Sequence, residues 1–162
     1  MDDAPRPKAK SRQRPSRRAS RELALQGLYE WQLSKAEPGS VAEHLRESPE
    51  FPACDAEHFD ALLMGCMAQA SALDALLVPH LDRRTQLLSP VEHAVLWIGT
   101  YELQHCLDIP YRVVINEAVE LAKSFGGTDG HKYVNGVLDK TAAALRAVEL
   151  AAAPPRRRHP PA

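Results

Sequence analysis

Residues 89–107 read SPVEHAVLWIGTYELQHCL, and they predict a buried helix at the centre of the protein. Ser89, Pro90 and Glu92 match a capping box with proline at the first helical position, which indicates where the helix begins. The apolar residues that follow lie around most of the helix circumference: Val91, Ala94, Val95, Leu96, Ile98, Leu103 and Leu107. Such a helix is typically buried, so the other helices are expected to pack around it. Pro110 disfavours helical backbone at the residue before it and predicts the end of the helix.

Amphipathic helices are predicted on both sides of this central helix. The clearest pattern lies between Asp55, a candidate N-cap, and Pro79, where apolar residues recur at i, i+3, i+4 and i+7 over about five turns. Similar patterns predict helices over 16–33, 114–125 and 129–145, with shorter helical segments over 41–47 and 81–85. No stretch alternates with a period of two, as a half-buried strand would. The sequence therefore predicts an all-α protein of about seven helices.

Charge is distributed unevenly along the 162 residues. Residues 1–21 contain eight basic and two acidic residues, residues 22–150 contain nine basic and 19 acidic residues, and residues 151–162 contain three arginines and no acid. Both ends are rich in proline and poor in apolar residues. This predicts a disordered basic arm over 1–15, an all-α domain over 16–150 and a disordered Pro/Arg tail over 151–162. Basic arms on an acidic body indicate a polyanionic partner, and a merely solubilising role is the alternative.

Several functional classes find no support in the sequence. No apolar run approaches the roughly 20 residues of a transmembrane helix, and the basic N-terminal stretch lacks the apolar segment of a signal peptide. We therefore expect a cytoplasmic protein without membrane contact. Three cysteines without CxxC spacing predict neither a disulfide framework nor a zinc site. Glu117 and Glu120 on one helix face are most often simply solvated, and the adjacent His105 and Cys106 point about 100° apart on a helix. We expect no catalytic residue, no metal and no cofactor.

Arg17, Arg18 and Arg21 form the first candidate binding surface, at the point where the basic arm becomes a helix. Positions 17 and 21 share a helix face, and position 18 lies close to it. The start of a helix adds the positive end of its dipole and free backbone N–H groups, which favour a phosphate. The planar arginine side chain suits phosphate oxygens and also stacks on bases. These residues predict nucleic-acid binding.

A second candidate surface lies at the start of the last predicted helix, at Asp129, His131, Lys132, Tyr133 and Asn135. A cation, an aromatic ring and an amide at a helix start suit a single-stranded nucleic acid, with Tyr133 as the stacking platform. The alternative is that Tyr133 is a core residue, because it falls on the same stripe as Val137. The residue pattern alone leaves both interpretations open.

Three segments resemble the family of the bacterial transcription antitermination factor NusB. They are SRRASRELALQGLYEWQLS (16–34), LSPVEHAVLWIGTYEL (88–103) and IPYRVVINEAVELAKSFGGTDGHKYVNGVLDK (109–140). The third is the most specific. The resemblance implies two packed three-helix bundles. It also implies binding of boxA, a short single-stranded element of nascent ribosomal RNA transcripts, together with a small-subunit ribosomal protein that serves as NusE. The pair then joins RNA polymerase and other Nus factors, so that transcription passes through terminators.

The resemblance also assigns roles to residues of this sequence. RNA binding falls on Arg17, Arg18, Arg21, Asp129, Lys132 and Tyr133. Glu92 matches an acidic position associated with the ribosomal-protein interface. Two positions depart from the family pattern: Ala19 interrupts an arginine run, and Tyr133 stands where phenylalanine is common. A protein-interaction module that is merely tethered to RNA by its basic arms is the alternative function. An enzyme is expected only if a pocket holds perturbed carboxylates.

Overall fold

The computed structural model describes residues 15–152 of the chain. It contains eight α-helices: α1 (Arg17–Ser34), α2 (Pro38–Arg46), α3 (Ala56–Ala68), α4 (Ala70–Leu77), α5 (Pro90–His105), α6 (Tyr111–Phe125), α7 (Gly130–Leu145) and α8 (Ala147–Ala152). Three short 3₁₀ turns lie at Phe51–Ala53, Val78–His80 and Thr85–Leu87. Residues 15–152 contain no β-strand, and a single parallel bridge joins Ser16 to Cys54. The predicted all-α class is confirmed.

The helices pack as two three-helix bundles, as the family resemblance implied. The first bundle consists of α1, α2 and α3, and the second consists of α5, α6 and α7. Helix α5 also packs against α1, α3 and α4, so it joins the two bundles. Its residues from Ala94 to Thr100 are all buried, which confirms the prediction of a central helix.

The predicted helix starts are confirmed where a side chain caps the helix. Ser16 Oγ accepts a hydrogen bond from the Ala19 N–H at 3.1 Å, and Asp55 Oδ1 accepts one from His58 N–H at the same distance. Ser89 Oγ accepts from the Glu92 N–H, also at 3.1 Å, and Pro90 follows as the first residue of α5. The predicted capping box is therefore half formed, because the carboxylate of Glu92 lies instead against Gly130 of α7.

The single helix predicted between Asp55 and Pro79 is wrong, because the chain bends there by 79°. Gln69 leaves the helical region between α3 and α4, with φ −111° and ψ 15°. Both segments bury apolar residues in the core, including Phe59 before the bend and Leu77 after it, whereas Met64 is exposed. An apolar period that continues across a bend cannot distinguish two packed helices from a straight one.

Two smaller predictions also differ from the structure. The helical turn expected over 81–85 is absent, and 3₁₀ turns lie on either side of it at Val78–His80 and Thr85–Leu87. Helix α8 was not predicted, and it extends to Ala152, so the first two residues of the predicted C-terminal tail are helical. The remainder of that tail and residues 1–14 of the predicted arm lie outside the described residues. Within 15–152, no single helix is long and apolar enough to cross a membrane. The bent pair of α3 and α4, extended to His80, reaches that length and apolar composition only when its two parts are taken together.

Candidate nucleic-acid interface

The first two arginines of α1 are exposed, and each already forms an ion pair within the chain. Arg17 Nη2 lies 3.3 Å from Asp108 Oδ2, in the loop between α5 and α6. The Arg18 side chain is 62 % exposed, and it forms two parallel hydrogen bonds with Glu117 of α6, at 3.1 and 3.0 Å. These hydrogen bonds lower the pKa of Glu117, which keeps that carboxylate ionised at neutral pH. A ligand phosphate that binds Arg18 must therefore compete with Glu117.

Arg21 does not share this exposed surface. Its side chain is 5 % exposed and donates to both carboxylate oxygens of Glu102 on α5, at 2.7 and 2.9 Å. Glu102 is itself 1 % exposed, and Glu117 lies 3.8 Å from Arg21 on the other side. Burial alone would lower the pKa of Arg21, but the hydrogen bonds and charge of Glu102 raise it. In this arrangement Arg21 joins α1 to α5 and is not exposed at the surface.

His58 extends this buried network beneath the start of α1. Its Nε2 lies 3.6 Å from Glu102 Oε2 and has no hydrogen-bond partner within residues 15–152. Burial lowers the pKa of His58, so the ring is neutral at pH 7. The ring also lines a cavity of about 240 Å³ that opens beside Arg17. Cys106 lines the same cavity, and burial raises the pKa of its thiol to about 11, which makes it a poor nucleophile.

The second candidate surface lies at the start of α7. The Lys132 side chain is 74 % exposed, and its Nζ lies 3.5 Å from Asp129 Oδ1. Tyr133 is partly buried: its ring packs against the core, and its hydroxyl is buried near Asp82. Arg83, from the segment between α4 and α5, covers the ring with its guanidinium carbon 4.2 Å from the ring centroid. The ring therefore has the core contact that the core interpretation expects, and Arg83 covers the face that the platform interpretation requires for a base.

Glu92 lies beside this second surface. A Cβ added to Gly130 would stand 2.6 Å from Glu92 Oε1, so the carboxylate packs directly against the first residue of α7. Helix α7 has no side-chain N-cap, and a negative charge there stabilises the positive end of its dipole. The glycine at position 130 leaves room for this contact. Glu92 thus joins the start of α5 to the start of α7.

The two candidate surfaces lie at the starts of different helices, α1 and α7. Arg18 contacts α6 at Glu117, near its middle, whereas α7 begins after the far end of α6. His131 is partly buried, and Asn135 lies in a separate cleft of about 510 Å³ that also involves Tyr111 and Asp139. The structure therefore keeps Asp129, Lys132 and Tyr133 together and leaves Asn135 outside that group.

A family model described as the NusB family matches residues 18–143. The chain belongs to the NusB family. It is 56 % identical over 149 residues to the transcription antitermination protein NusB of Cupriavidus pinatubonensis, covering 92 % of this chain and 89 % of that one. The corresponding protein of Ralstonia pickettii is 57 % identical over 145 residues, covering 90 % and 94 %.

Solved structures of NusB proteins share the fold. NusB of T. maritima is 30 % identical with a TM-score of 0.69, covering 80 % of this chain and 92 % of that one. A crystal structure of antitermination factors NusB and NusE in complex with dsRNA matches with 27 % identity and a TM-score of 0.72, covering 79 % and 96 %. The family resemblance and the NusB fold expected from the sequence are confirmed.

Sequence reasoning missed the partners of the candidate residues in this NusB fold. The sequence position of Glu102 indicates a buried ion pair, because a carboxylate within the apolar surface of a central helix requires a buried cation. The pairing of Glu117 with Arg18 has no local signal, because it depends on how α1 and α6 pack. Arg83 carried no local signal, because its contact with Tyr133 joins segments 50 residues apart.

Proposed function

We propose that this chain is a transcription antitermination protein that binds the boxA element of nascent ribosomal RNA transcripts together with NusE. The observation that carries this proposal is the 56 % identity to an antitermination protein over 92 % of the chain. The structural likeness to NusB in a complex with NusE and RNA supports the same partners. RNA polymerase and the other Nus factors would complete the assembly. The protein would act in the cytoplasm, as a binding factor and not as an enzyme.

The start of α1 is the proposed primary RNA contact. Arg17 and Arg18 are exposed and can exchange their carboxylate partners for phosphates, because solvent screens ion pairs at the surface and makes them weak. Arg21 is buried, so its proposed role is to hold α1 against α5 and thereby position the two exposed arginines. Glu117 orients the fork of Arg18 in the free protein.

The start of α7 is the proposed second RNA contact. Lys132 supplies a positive charge and Asp129 a hydrogen-bond acceptor for base amino groups. The Tyr133 ring contributes the aromatic layer on which Arg83 lies. Glu92 is the proposed contact with the ribosomal protein, and its carboxylate lies against Gly130, beside the proposed second RNA contact.

The test is binding of a short boxA RNA compared with a scrambled RNA of the same composition, at one salt concentration, with and without NusE from the same organism. We expect preference for boxA, and stronger binding when NusE is present. Equal affinity for both RNAs under both conditions would contradict the proposal. If NusE bound normally in that case, the chain would instead be a protein-interaction module.

A further inference from the structure

The segment between α4 and α5 covers the aromatic ring at the start of α7. The Arg83 guanidinium carbon lies 4.2 Å from the centroid of the Tyr133 ring, within the distance of a cation–π contact. The Arg83 side chain is 39 % exposed. The guanidinium is thus the outer layer of a stack whose inner layer is Tyr133, and that ring in turn packs against the core.

A carboxylate fixes the orientation of this guanidinium. Asp82 accepts from Arg83 Nε at 2.7 Å and from Nη2 at 3.4 Å. These hydrogen bonds lower the pKa of Asp82, so the pair persists at neutral pH. Two contacts of different kinds, the carboxylate at its edge and the ring on its face, therefore hold the guanidinium plane in place.

We propose that Arg83, supported by Tyr133, is a base-stacking residue of the RNA site. A guanidinium is planar and stacks on nucleobases, and bases of single-stranded RNA offer their faces to such surfaces. The Tyr133 ring lies between the core and Arg83, so the surface that an incoming base meets is that of the arginine. Positive charge for the adjoining phosphates is present at Lys132 and at Arg84, which is exposed and forms no ion pair within residues 15–152. The inference rests on the proposed RNA-binding function and names a contact within it.

The test combines protein variants with RNAs that each lack one base. Arg83→Ala removes the planar group, and Arg83→Lys keeps the charge without the plane. Arg46→Ala is the matched control, because Arg46 on α2 is also exposed and paired with an aspartate, Asp60, at 2.6 Å. Affinity for boxA RNA is measured at several salt concentrations, together with the thermal unfolding midpoint of each variant.

We expect Arg83→Ala to weaken binding by about 5- to 150-fold, the range for loss of one stacked base. Arg83→Lys should lose most of this affinity with an unchanged salt dependence, and Arg46→Ala should bind like the natural protein. Removing the base that stacks on Arg83 should abolish the difference in affinity between the natural protein and Arg83→Ala, because neither protein can then make that contact.

Several results would overturn the inference while the natural protein still prefers boxA. Tighter binding by Arg83→Ala would mean that the guanidinium shields Tyr133 from the base. Unchanged affinity would place Arg83 outside the site, and an equal loss with every RNA would indicate a phosphate contact. A loss that disappears after correction for the folded fraction would show a purely structural role. Failure of the natural protein to prefer boxA would instead contradict the proposed function itself.

Discussion

Replacing Arg21 by alanine separates a structural arginine from one that binds RNA. The two hydrogen bonds to Glu102 measure 2.7 and 2.9 Å, and the two side chains are almost completely buried. The substitution leaves the Glu102 carboxylate buried without its main partner, and breaking such a pair costs about 3–5 kcal/mol. With a urea dependence of about 2 kcal/mol per molar for a domain of this size, the unfolding midpoint should fall by roughly 2 M.

Urea unfolding followed by circular dichroism measures this loss. A second variant, Arg21→Met combined with Glu102→Leu, removes both charges and keeps comparable apolar volume. Because replacing a whole buried ion pair by apolar residues is often neutral, this variant should recover most of the lost stability. It should also bind boxA RNA with nearly the affinity of the natural protein, since Arg17 and Arg18 remain in place.

The salt dependence of RNA binding decides between the two roles of Arg21. A direct phosphate contact on a single strand contributes about 0.7 to the slope of log K against log salt. If the stable double variant binds RNA weakly and its slope is shallower by that amount, Arg21 contacts phosphate and the structural argument is wrong. An unchanged midpoint in Arg21→Ala would refute the argument as well, because the pair with Glu102 would then contribute nothing.

Three further substitutions test other contacts of the folded chain. Replacing Arg17 and Arg18 together by alanine should make the salt slope shallower by about 1.4 without loss of helix content, and an unchanged slope would exclude direct phosphate contacts. Ser89→Ala removes the cap of α5 and should lower the free energy of unfolding by about 1 kcal/mol; an unmoved denaturation midpoint would contradict the cap. His58 has a lowered pKa in the folded state, so the unfolded chain takes up a proton first as pH falls below its ordinary pKa of 6.5. The free energy of unfolding should therefore decline from pH 7 towards pH 5, by at most about 1.4 kcal/mol per pH unit for this group. In His58→Gln it should decline less over this range, and an equal decline in both proteins would contradict the prediction.

Features that depend on neighbouring residues were predictable from the sequence. Ser16 and Ser89 cap helices through a hydrogen bond to a residue three positions later, so the starts of α1 and α5 follow from short patterns. The burial of α5 follows from its apolar circumference in the same way. The bend at Gln69 did not follow, because the residues after it continue the apolar period of those before it.

The environment of the candidate site depends on tertiary packing. A helical projection correctly places Arg17 and Arg21 on one face of α1, but it does not show that this face turns towards the protein. The distinction arises because Glu102, 81 residues away, lies opposite Arg21, whereas Asp108 lies at the exposed edge opposite Arg17. Two arginines on the same helix face therefore differ in burial because they meet different parts of the fold.

The acidic body has a definite consequence for RNA binding at the proposed site. Four candidate cations are already paired with carboxylates: Arg17 with Asp108, Arg18 with Glu117, Lys132 with Asp129 and Arg83 with Asp82. A phosphate that binds one of these cations displaces a carboxylate, which stays nearby and repels other phosphates over a Debye length of about 8 Å. An RNA of arbitrary conformation therefore gains little, because each attraction is offset by a repulsion. An RNA that directs base amino groups towards the carboxylates satisfies both charges at once. At the proposed site, this pairing should disfavour non-specific binding and select for the position of bases relative to phosphates.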